Sequence, residues 1–128
     1  MDNKEFCTIK NETKGKLPSL PFVSIKEKIL GKKYDLSIIF LKEKDQKKIN
    51  RKYRGKNKST NILSFPLEKL SGEITFDPQK VKKDAPLFKM RYREFLKLLF
   101  IHGCLHLKGF EHSSRMEKEE QKFMKMFS

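Results

Sequence analysis

From Phe95 to Leu107 the chain reads FLKLLFIHGCLHL, apolar at almost every position. Phe88, Tyr92, Phe95, Leu99, His102 and His106 recur at spacings of four, three, four, three and four. Such spacing puts them on one helical stripe and predicts a helix over Leu87–Lys108. Gly109 follows as a helix stop. A helix that is apolar on nearly every side must be enclosed by the rest of the fold, so its second half is expected at the buried centre.

The other elements are read around that helix. Glu5–Lys10 alternates weakly and suits an edge strand. Pro21–Leu30 has Phe22, Ile25, Ile29 and Leu30 at helical spacing, with Gly31 as its cap. Leu36–Leu41 (LSIIFL) reads as a buried strand. Lys42–Arg54 is a charged surface helix with a thin apolar stripe of Ile49 and Tyr53, ending at Gly55. Ile62–Leu67, closed by Pro66, and Gly72–Phe76 are near enough to form a hairpin. A short helix over Gln79–Lys83 and a last amphipathic helix over Arg115–Phe127 complete the chain, the latter with Met116, Phe123, Met124 and Phe127 inward. The expected class is α+β: a small mixed four-stranded sheet packed against a central buried helix, with additional helices.

A length of 128 residues predicts a single domain over 1–128. No repeat or low-complexity linker divides it. Met1–Lys10 has no apolar core of the signal-peptide kind. No apolar run is long enough for a bilayer span, so a cytoplasmic protein without a membrane partner is expected. Cys7 and Cys104 form no CxxC pair, which argues against a disulfide framework and a cysteine zinc knuckle.

Every histidine of the chain lies within eleven residues: His102, His106 and His112. A lone histidine on an apolar stripe is commonly a satisfied core residue. The set has a different logic. Residues four apart on a helix advance about 6 Å and return to nearly the same face, so two imidazoles can converge on one ion. Gly109 lets the chain turn back, and His112 then supplies a third nitrogen. Three neutral imidazoles with an open fourth position is how catalytic zinc is held, and one zinc ion is the expected cofactor. Cys104 sits about 200° around the helix from each helical histidine and is poorly placed as a fourth ligand.

The spacing i, i+4, i+10 with glycine at i+7 is also that of the metzincin proteases, which carry a glutamate base directly after the first histidine. Gly103 occupies that position here, which disfavours peptide hydrolysis. Glu111 is the nearest carboxylate in sequence. Its place beside His112 suits an outer or exposed role.

The chain carries a net charge of +14, and half of it lies in Lys42–Lys58, with nine basic and two acidic residues. Such a surface draws polyanions, nucleic acid first and an anionic membrane second; a merely solvated lysine coat is the plain alternative. Tyr53 within the stretch and Phe65 after it suit single-stranded nucleic acid, whose bases stack on aromatic rings. Arg54 stands apart, at a helix end before a turn. Its planar fork suits phosphate, and if that turn faces the metal it stabilises charge on a phosphoryl group.

The run His102-Gly-Cys-Leu-His106-Leu-Lys-Gly109-Phe-Glu-His112 resembles the signature of the YbeY family of rRNA-maturation endoribonucleases. The stretch from Asn50 through Arg54, Thr60 and Ser64 to Pro66 is similar to the family's long central motif. Gly72-Glu-Ile74 and Met116-Glu117 also fit, so the resemblance covers roughly residues 36 to 125. Family members usually have Tyr and Asp where this chain has Phe110 and Glu111, and Asp where it has Glu73. The resemblance implies a metal-dependent, single-strand-specific endoribonuclease, a hydrolase with zinc on His102, His106 and His112 and a catalytic role for Arg54. It also implies action on ribosomal RNA of the small subunit, in 16S rRNA 3′-end maturation and ribosome quality control, with no small-molecule cofactor. Arg51, Arg54, Lys56 and Lys58 are the candidate RNA-binding residues. Two other functions suit the same residues: a non-catalytic, metal-stabilised ribosome-assembly factor, and a metal hydrolase of another substrate.

Overall fold

Four strands, β1 (Cys7–Asn11), β2 (Asp35–Phe40), β3 (Ile62–Glu68) and β4 (Ser71–Phe76), form one sheet in the order β1-β2-β4-β3. The computed structural model describes residues 6–128, so the Glu5 end of the expected first strand lies outside the described residues. β1 and β4 each pair with β2 in parallel, and β3 returns antiparallel to β4. The sheet is therefore mixed, with β1 and β3 at its edges. Pro66 does not close β3: the strand runs on to Glu68, with a register irregularity between Pro66 and Glu68. An edge tolerates a proline because its missing N–H has no partner strand to serve.

The helices are α1 (Phe22–Leu30), α2 (Glu43–Arg54), α3 (Pro78–Asp84), α4 (Tyr92–Lys108) and α5 (Ser114–Met126). Side chains alternate across a strand, so the sheet has two distinct faces. Leu36, Ile38, Phe40, Ile74 and Phe76 point into the core, where α1, α4 and α5 pack. α2 lies over the other face, where the Gln46 side-chain amide donates to Thr75 O at 3.2 Å.

Three details differ from the sequence reading. The buried residues of α2 are Gln46 and Asn50 rather than its thin apolar stripe, of which Ile49 is half-buried and Tyr53 62% exposed. These buried amides bond to carbonyls, Gln46 also to Thr60 O at 3.2 Å and Asn50 to Lys58 O at 2.8 Å, so the polar face anchors the loop after the helix. Second, α4 begins at Tyr92, not Leu87. Ala85–Phe88 forms a 3-10 turn ended by Lys89 at φ 56°, and the chain restarts from extended Arg91. Third, the buried side of α4 is Phe95, Leu96, Phe100, Ile101, Cys104 and Leu105, whereas His102 and His106 lie on its half-exposed flank.

Both cysteines are free and buried. Burial pushes the Cys104 thiol well above its ordinary range, and Cys104 belongs to the core rather than to the histidines. Among the described residues, no helix is long and apolar enough to cross a membrane.

Candidate metal centre

α4 presents His102 and His106 on one flank, as the four-residue spacing requires. Gly109 at φ 113° caps the helix, and Phe110 N–H donates to Leu105 O at 3.0 Å. That backbone reversal needs the left-handed conformation that glycine adopts without strain. It carries His112 back over the helix end. Ser113 then caps α5, its hydroxyl accepting from Met116 N–H at 3.2 Å, which fixes the turn from the other side.

One nitrogen of each of the three histidines lies within 4.8 Å of the others. His106 Nε2 and His112 Nε2 are 3.2 Å apart. Two nitrogens at about 2.0–2.1 Å from a tetrahedral zinc are set roughly 3.3 Å apart, so the donor set fits a single ion. Burial, followed by the charges of His102, His112 and Arg54, lowers the pKa of His106. A lowered value favours the neutral imidazole that a metal requires.

His102 makes a contact that sequence reasoning missed. Its Nδ1 meets Glu120 Oε2, on a largely buried carboxylate of α5. A signal existed: Glu120 is four residues after Met116 and three before Phe123, both inward on an amphipathic helix. With Nδ1 engaged, Nε2 is the nitrogen left for an ion, and such carboxylate partners fix the tautomer and ring orientation of histidine ligands. Glu111, nearest in sequence, is exposed.

The histidines line a cleft of ≈ 540 Å³ whose other walls include Arg54, Ser64, Pro66 and Leu107. Arg54 therefore does face the cluster. It is the last residue of α2, where Gly55 at φ 68° donates its N–H to Arg51 O at 3.0 Å and Lys56 donates its N–H to Asn50 O at 3.4 Å. Arg51, Lys56 and Lys58 are exposed and lie outside the lining of the cleft.

Gly103 explains how the helix comes so close to the sheet. A β-carbon there would stand 2.9 Å from Ser64 Oγ and 3.1 Å from the Ile62 and Ile74 Cδ1 atoms. The position that holds the general base in metzincins is thus pressed against β3 and β4, with no room for a glutamate.

An α+β fold whose central helix carries two members of a three-histidine cluster, with an arginine across the cleft, defines a class of protein whose site could hold a metal ion. Comparison with known proteins narrows the class. The family model described as Endoribonuclease YbeY matches residues 2–128. A protein named Endoribonuclease YbeY from Pelagibacter ubique is 35% identical over 122 residues, covering 83% of this chain and 80% of that one. A protein of the same name from Aliarcobacter butzleri is 32% identical over 123 residues, covering 88% and 86%. The solution structure of a Thermotoga maritima protein superposes with a TM-score of 0.66 at 28% identity, covering 93% of this chain and 87% of that one. The chain belongs to the YbeY family of endoribonucleases, which are hydrolases.

Proposed function

We propose that this chain is a zinc-dependent, single-strand-specific endoribonuclease that hydrolyses RNA phosphodiester bonds at the three-histidine cleft. The observation that carries the proposal is the meeting of Arg54 with His102, His106 and His112 in one cleft. A bound divalent cation supplies Lewis-acid activation of water and of a phosphoryl oxygen.

The residues of the chain do the rest. His102, His106 and His112 hold the ion through one nitrogen each. Glu120 keeps the His102 ring turned so that Nε2 faces the cluster. Arg54 grips the phosphate with a bidentate fork and opposes the charge that grows on its oxygens. Arg51, Lys56 and Lys58, exposed around the end of α2, steer the strand towards the cleft. Single strands are favoured because a cleft beneath an edge strand admits a flexible backbone more readily than a duplex.

Membership of the family supports ribosomal RNA of the small subunit as the substrate. We assign the chain to 16S rRNA 3′-end maturation and ribosome quality control in the cytoplasm. Among the described residues the cluster offers three histidine nitrogens, two half-buried and one exposed, which suits an ion in use rather than a closed structural ion.

The test is cleavage of single-stranded RNA by purified protein, with chelator and then with zinc restored. A His106→Ala protein is purified in parallel to expose contaminating nuclease. Chelation abolishes cleavage, zinc restores it, and the variant stays inactive. Undiminished cleavage by metal-free His106→Ala protein contradicts the proposal.

A further inference from the structure

The edge strand β3 separates two cavities. Ile62, Ser64 and Pro66 line the metal cleft. Phe65 and Leu67, alternating with them, line a second cavity of ≈ 370 Å³ together with Tyr53, Lys52, Glu73 and Thr75. Pro66 borders both, so the cavities meet around the edge of the sheet.

From this arrangement we infer that the second cavity is a subsite for one unpaired nucleobase of the RNA strand, next to the phosphate held in the cleft. The inference rests on the endoribonuclease reading above. Tyr53 and Phe65 form a tilted ring pair with centroids 5.1 Å apart. Tyr53 is 62% exposed, and its neighbour Leu67 is 59% exposed. Apolar surface this open on a protein so highly charged calls for an occupant that is flat, partly apolar and attached to an anion.

Three further observations favour a base. Lys52 Nζ lies 5.4 Å from the Tyr53 ring centre, so the platform is already cationic, as single-strand binding surfaces are. Tyr53 and Arg54 are consecutive, with α-carbons about 3.8 Å apart, and consecutive helix residues point to different sides. A base on Tyr53 and a phosphate on Arg54 therefore belong to the same or neighbouring nucleotides. Finally, polar partners for a base edge are present. The Glu73 carboxylate borders the cavity and can accept from a base N–H. Thr75, also on the lining, is fully buried, and its hydroxyl has no hydrogen-bond partner among the described residues.

The experiment measures the half-saturating protein concentration in single-turnover cleavage of a single-stranded RNA of about ten nucleotides, within the size range that such sites cover. Tyr53→Ala raises it roughly 5- to 150-fold, the loss associated with one stacked base, while Tyr53→Phe stays near the parent. Removing one base from the RNA, position by position, finds a single position that gives the same rise, and Tyr53→Ala adds nothing to that substrate. If the parent cleaves and Tyr53→Ala saturates as the parent does, the subsite is overturned and the nuclease reading stands. If no single abasic position matters, the subsite falls likewise. A parent protein with no action on single-stranded RNA overturns the nuclease reading, and the subsite with it.

Discussion

The Glu120 carboxylate of α5 meets Nδ1 of His102 on α4 and leaves the opposite ring nitrogen available to the three-histidine cluster. This contact couples the packing of the last helix to the geometry of the site. Removing the carboxylate frees the ring to turn, so Glu120→Gln is expected to weaken metal binding about 10- to 100-fold. Competition for zinc between the apoprotein and a chelator measures it. Glu120→Asp should recover part of the loss. Unchanged affinity in Glu120→Gln would show that the ring is held by packing alone.

Gly103 sets the distance between α4 and the sheet. An alanine there gains about 1 kcal/mol of helix propensity. Against this, its β-carbon meets Ser64 Oγ at 2.9 Å and two isoleucine methyls at 3.1 Å. Overpacking of this kind costs about 1–3 kcal/mol, so Gly103→Ala is predicted to be destabilising by up to about 2 kcal/mol in denaturant unfolding. The helix must shift from β3 to fit, which moves His102 and His106 against Arg54. Cleavage should therefore fall further than stability does.

Much of this site was legible in the chain, for physical reasons. Histidine spacing on a helix is geometry, so His102, His106 and His112 could be read directly, and Gly109 announced the reversal that brings His112 back. The helix and strand types followed from apolar periodicity. What escaped were contacts that depend on tertiary packing. Gln46 and Asn50 look like solvent-facing polar residues until the carbonyls of Thr60, Thr75 and Lys58 are brought to them. Glu120 lies eighteen residues from His102, and its inward direction shows only when the Met116 and Phe123 stripe is followed around the helix. The restart of α4 at Tyr92 was hidden because Phe88 keeps the helical spacing while Lys89 turns the backbone. Even outside the helix, Phe88 stacks on Phe95 at 4.9 Å.

A buried lysine makes stability depend on acidity. Lys97, 1% exposed, donates to Glu94 Oε1 at 3.2 Å and to Phe127 O at 3.0 Å. The hydrogen bond from Lys97, helped by the charges of Lys97 and Arg93, holds the Glu94 carboxyl below its ordinary range. The unfolded chain thus takes up a proton on Glu94 at a higher pH than the folded chain. The stabilisation is full above the ordinary carboxylate range and is lost as pH falls through the lowered value of the folded state. Melting temperature should drop across that acid window, and the drop should be smaller in Glu94→Gln. Parallel curves for the two proteins would remove this pair from the account.

In the proposed reaction the histidine cluster and Arg54 act on one RNA phosphate. The most direct measurement is single-turnover cleavage of single-stranded RNA, with zinc content determined on the same samples, for the parent, His106→Ala and Arg54→Ala. The parent should cleave and carry one zinc per chain. His106→Ala should lose both the metal and the cleavage. Arg54→Ala should keep the metal, remain folded and lose about 10²- to 10³-fold in rate, as the removal of one donor to a developing oxyanion does. Cleavage that persists at the parental rate in either variant would contradict the account.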